Sequence, residues 1–169
     1  MKRSLFIPFL LLTAGFLRAQ VPTESLAVNW EPEYNLKKVK DPDNPDSGSL
    51  YIPKNETPKK YSLVVSVNAF HGEPKDMPTI FEKFRKGFDS STLITELQKK
   101  ETKVNPFIIA RVEQSVPDSA GQRKSDLYYL LRGRTTLFIV YVETGKDAFT
   151  QAFVNKWISI FRRSQIVYQ

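Results

Sequence analysis

The sequence predicts an α+β domain: a three-layer α/β/α sandwich with a central antiparallel sheet and a long C-terminal helix. Three observations carry this. Residues 126–132 and 135–143 flank Arg132-Gly133-Arg134 as two apolar-rich runs, the pattern of a β-hairpin with Gly133 at a positive-φ turn position. Both faces of the runs are apolar: Leu127, Tyr129 and Leu131 alternate with Tyr128 and Leu130, and Leu137, Ile139 and Tyr141 alternate with Phe138, Val140 and Val142. Strands of this kind need cover above and below. Segments with apolar residues at helical spacing stand on either side of the hairpin in the chain, the last running from about Lys146 to Arg163.

Met1-Lys2-Arg3 and the apolar run from Leu5 to Leu17 match a secretory signal, a basic start followed by a short apolar stretch. The run is shorter than the roughly 20 residues of a membrane-spanning helix. Cleavage is expected after Ala19, so residues 1–19 are assigned as signal, and the mature chain, with no transmembrane anchor, is periplasmic or secreted. Residues 20–47 are polar and punctuated by Asp41-Pro42-Asp43-Asn44-Pro45-Asp46-Ser47-Gly48, which suits a flexible N-terminal arm or long loop. Trp30 and Tyr34 lie in it, either tucked onto the domain or anchoring a partner.

The folded body is assigned to residues 48–169. Ser49-Leu50-Tyr51-Ile52 forms a short strand stopped by Pro53, and the β-branched run within Tyr61–Phe70 forms the next. Ile80, Phe81, Phe84 and Phe88 fall at helical spacing, in a helix ended by Gly87. Asp89-Ser90-Ser91 is expected to cap a second helix through Leu93, Ile94 and Leu97 to Lys100. Pro106 to Glu113 is a strand. Phe149, Ala152, Phe153, Trp157, Ile160 and Phe161 make a wide apolar stripe on the last helix, with Arg162 and Arg163 at its negative end. Ser164 to Tyr168 adds an edge strand.

The chain has 25 Lys and Arg against 18 Asp and Glu, a formal net charge of +7. Removal of the signal takes Lys2, Arg3 and Arg18 and no acid, leaving +4. Such mild basicity argues against nucleic acid as the partner. The absence of cysteine rules out disulfides, thiol catalysis and zinc-thiolate sites.

No catalytic constellation stands out. His71 is the single histidine and lacks companions for general-base or metal chemistry. Asp41, Asp43 and Asp46 alternate loosely like part of a calcium loop, but two prolines break the geometry. The nucleophile elbow and the glycine-rich phosphate loop are both missing. The expectation is therefore no enzyme, no cofactor and no metal. Arg123, Lys124, Arg132 and Arg134 form two small basic patches at opposite ends of the first hairpin strand. With Trp30 and Tyr34 they are the candidate partner contacts.

The body resembles the PsbP-like family, named for an extrinsic photosystem II subunit and shared by a Ran-binding protein. Ser49-Leu50-Tyr51-Ile52-Pro53-Lys54-Asn55, Leu63-Val64-Val65-Ser66-Val67, Asp126-Leu127-Tyr128-Tyr129, Thr136-Leu137-Phe138-Ile139-Val140 and the tail from Phe153 to Ile166 carry the likeness, over about residues 48–168. The resemblance implies a non-catalytic accessory subunit that docks on a larger periplasmic or envelope assembly. It also implies an alternative, a component of the sheath of spirochaete periplasmic flagella. A carrier of a small apolar ligand or lipid, using space between sheet and helices, is the other alternative. The fold by itself decides between none of these.

Overall fold

The structure is a computed structural model that describes residues 23–40, 48–58, 60–72, 74–115, 123–145 and 148–169. The expected signal, the Asp41–Ser47 turn run and the candidate calcium aspartates lie outside these residues. Nine strands and two helices follow in order: β1 (Glu24–Ala27), β2 (Leu36–Val39), β3 (Ser49–Pro53), β4 (Leu63–His71), α1 (Met77–Lys86), β5 (Leu93–Lys100), β6 (Phe107–Ser115), β7 (Arg123–Arg132), β8 (Thr136–Thr144), α2 (Gln151–Arg163) and β9 (Gln165–Tyr168). A seven-stranded antiparallel sheet has the order β2-β3-β4-β8-β7-β6-β5, and β1 pairs with β9 in a second sheet of two strands.

The expected α/β/α sandwich with a long C-terminal helix is corrected by this arrangement. Strands take 50% of the described residues and helices 19%. The C-terminal helix has only 13 residues, because its stripe is helical only from the Thr150 cap, whose side chain accepts from Phe153 N–H at 3.2 Å. The second expected helix is strand β5. Asp89 does act as a local cap, but it accepts from Ser91 N–H at 2.7 Å in a tight turn that leads into the strand. The helical spacing of Ile94 and Leu97 has another origin: residues three apart in a strand point to opposite faces, and a bulge between Glu96 and Gln98 adds a register shift against β6. Ile94 therefore packs with α1 on one face, and Leu97 with α2 on the other. Strands β1 and β2 come from the segment read as an arm.

The sheet's two faces are covered differently. On one, Trp157, Ile160, Phe161 and Val154 of α2 pack on Val65, Ile109, Leu127, Tyr129, Phe138, Val140 and Val142. Tyr129 stacks on Phe161 at 4.8 Å, and Tyr34 stacks on Trp157 at 5.0 Å. Leu26, Val28 and Ile166 extend this cover. The opposite face carries α1, whose Met77 and Ile80 rest on Ile108, Ala110 and Leu130 of β6 and β7.

Gly133 does not take the expected positive φ; among the described glycines only Gly72 does. Its need is space. A Cβ at Gly133 would lie 2.9 Å from Glu24 Cδ. Glu24 is buried, and its carboxylate accepts from Arg134 N–H at 2.8 Å, Thr135 N–H at 3.0 Å and the Thr135 hydroxyl at 3.3 Å. Strand β1 is thereby pinned to the hairpin tip. Burial pushes the Glu24 carboxyl up, but these hydrogen bonds outweigh it and hold the group below its ordinary value.

Candidate functional site

The site grows from the incomplete cover of the α1 face. Helix α1 is fixed by Asp76, which accepts from Thr79 N–H and Thr79 hydroxyl, both at 2.9 Å, with Pro78 in the first turn. Its far end packs through Phe84 on Tyr128, ring centres 5.0 Å apart, and Phe88 closes on both rings. The helix spans β6 and β7 and stops there. On the same face, side chains of β4 and β8 are left facing outward: Phe70, Leu137, Ile139 and Tyr141. Phe70 is 56% exposed, a large apolar surface to leave in water.

Between α1 and these strands lies a groove of about 410 Å³. Ile80, Phe84, Leu130, Leu137, Ile139 and Phe70 make it apolar, while Lys75, Lys83, Thr79 and His71 stand around it. Lys75 and Lys83 are both exposed, and neither makes an ion pair among the described residues. His71 is exposed at the end of β4, its Nδ1 3.2 Å from the Thr136 hydroxyl.

Further along β7 and β8 the same face becomes polar. Asp126 and Glu143 sit opposite each other in the ladder, two residue pairs beyond Tyr128 and Tyr141. Lys124 Nζ lies 2.6 Å from Glu143 and 3.9 Å from Asp126, and the Tyr141 hydroxyl donates to Glu143. The Asp126 side chain is 2% exposed, and its Oδ1 lacks a hydrogen-bond partner. Burial raises its pKa to about 6, against the attraction of Lys124 and with help from the nearby Glu143. Burial and the hydrogen bond to Glu143 push Tyr141 upward, and burial does the same to Tyr128. The Asp126 carboxyl is sealed from solvent, while Lys124 and Glu143 keep partly exposed side chains, so the cluster is a partly buried polar network.

The sequence-selected contacts disperse across the molecule. Arg123 and Lys124 start β7 and Arg132 ends it, roughly 30 Å away. Arg123 donates to backbone carbonyls of Ser91 and Glu113, and Lys124 is drawn into the carboxylate cluster. Arg132 is half-buried, with Nε unpartnered, and Arg134 lies 5.3 Å over the Tyr168 ring. Trp30 packs 4.6 Å from Tyr51 and Tyr34 stacks on Trp157, so both support the α2 face. None of the six lines the groove. The groove residues Phe70, Leu137 and Ile139 were readable only as strand residues. Their outward parity was visible, but not which face a helix would leave bare.

Neither a family model nor a curated protein matches this chain.

Proposed function

We propose that this chain is a non-catalytic accessory protein that docks on a larger periplasmic or envelope assembly through the bare half of the α1 face. One observation carries the reading: Phe70 is exposed and Leu137 and Ile139 are only half-buried beside a helix, in a groove flanked by lysines that make no ion pair among the described residues. Contiguous apolar surface with a polar rim marks interaction sites on folded proteins. The alternative of a carrier with an internal ligand space gains less support, because Trp157, Phe161, Tyr129 and Phe138 fill the space between the sheet and α2.

The test compares wild type with Phe70→Asp by crosslinking and mass spectrometry in the native envelope. Phe70 is more than half exposed, so the variant is expected to keep its melting temperature within a few degrees. Crosslinks from Lys75 and Lys83 to one assembly, lost in the variant, support the proposal. Equal crosslinks from both proteins overturn it.

A further inference from the structure

We infer that the groove receives an acidic amphipathic helix from the partner, laid parallel or antiparallel to α1 over β4 and β8. The inference rests on the docking proposal and names the chemistry of the docked element.

The spacing argues for a helix. Packed helices stand about 8–10 Å apart, and neighbouring strands about 4.8 Å apart. A helix beside α1, which sits on β6 and β7, therefore falls two strands away, on β8 and β4. There Phe70 is exposed and Leu137 and Ile139 are only half-buried, with Asn68 of β4 beside them. Apolar residues at i, i+3, i+4 and i+7 of such a helix would meet Phe70, Leu137 and Ile139, as helix-in-groove recognition requires.

The charge argues for acid. Lys83 projects from α1 and Lys75 from the loop before it, both at the groove and both without an ionic partner among the described residues. A helix with Glu or Asp beside its apolar stripe would pair with them, and a basic one would be repelled. Small-molecule sites bury about 70–90% of their ligand. This groove is open to solvent at Phe70, which is 56% exposed, and so covers less of a fatty acid than such a site would.

The experiment uses three probes on the full domain: a fluorescein-labelled peptide of about 14 residues, roughly 20 Å as a helix, with Leu at four stripe positions and flanking Glu; the same peptide with Lys for Glu; and dodecanoate. Binding is read by anisotropy, and its place by NMR shifts of the Leu137 and Ile139 methyl groups. Expected are a Kd on the order of 100 µM for the acidic peptide and loss of about tenfold in Lys75→Glu/Lys83→Glu. The basic peptide should prefer that variant. Equal binding of both peptides to wild type, no acidic-peptide binding, or dodecanoate alone shifting the groove methyls each overturns the inference. If Phe70→Asp abolishes envelope crosslinks while the acidic peptide fails, docking stands and the acidic helix falls. If crosslinks persist in that variant, both fall.

Discussion

Replacing Asp126 by Asn should make this protein more stable at neutral pH and leave it unchanged in mild acid. The carboxyl is 2% exposed, has one oxygen without a hydrogen-bond partner, and titrates at about 6 instead of 3.8. A carboxyl whose pKa is higher folded than unfolded binds its proton more tightly in the native state. Its ionisation therefore subtracts stability as pH rises from about 4 through 6. The difference between 3.8 and about 6, at 1.36 kcal/mol per pH unit, is about 3 kcal/mol lost above pH 7. The groups that face Asp126 are Lys124 on its own strand and Glu143 and Tyr141 on β8; the β6 residue opposite, Val112, is apolar. Lys124 keeps its closer partner Glu143 when Asp126 is neutralised. Asn is nearly isosteric, so packing is retained, and its amide meets the same polar neighbours. Urea unfolding of both proteins at intervals from pH 4 to pH 8 measures the effect. The two stabilities should coincide near pH 4 and diverge to about 3 kcal/mol near pH 8, roughly 10 °C in Tm for a domain of this size. Parallel curves across the range, or a variant less stable at pH 8, would refute the burial argument.

Other perturbations test the remaining supports. Glu24→Gln replaces a carboxylate held by two N–H groups and a hydroxyl, and should cost about 2–4 kcal/mol at pH 7 in urea unfolding. Because the Glu24 carboxyl is held below its ordinary value of 4.5, its contribution is full above that pH and fades as pH falls further, opposite in sign to Asp126. The difference between Glu24→Gln and wild type should accordingly shrink in acid. Gly133→Ala should destabilise by about 1–3 kcal/mol and speed hydrogen exchange in β1, because the new methyl displaces the Glu24 carboxylate. Trp157→Ala should cost about 3–5 kcal/mol by calorimetry, because the indole is fully buried against Tyr34, Phe153 and Phe161.

Strands β4, β6, β7 and β8 and the turns of α1 and α2 were legible because their patterns are local. Alternation, β-branched runs and the stripe through Trp157 and Phe161 all act within a few residues. Strand β5 was not legible, because apolar residues three apart fit both one face of a helix and two faces of a strand, and only pairing with β6 decides between them. Strands β1 and β2 are four residues each and owe their conformation to β9 and β3, far away in sequence. The candidate site was the least visible of all. A half-covered strip depends on which strands α1 lies across, and the sequence carries no sign of that.

By itself, then, the sequence determined the alternating strands, the aromatic stripe of α2 and the lack of cysteine thiols. Tertiary structure decided that the domain is mostly β and that its helices are short. It also decided that Gly133 is small to admit Glu24, and that α1 leaves Phe70 exposed and Leu137 and Ile139 only half-buried. The division has one physical cause. Periodicity and capping are fixed by neighbours along the chain, whereas cover, register and buried charge are fixed by which distant segments meet.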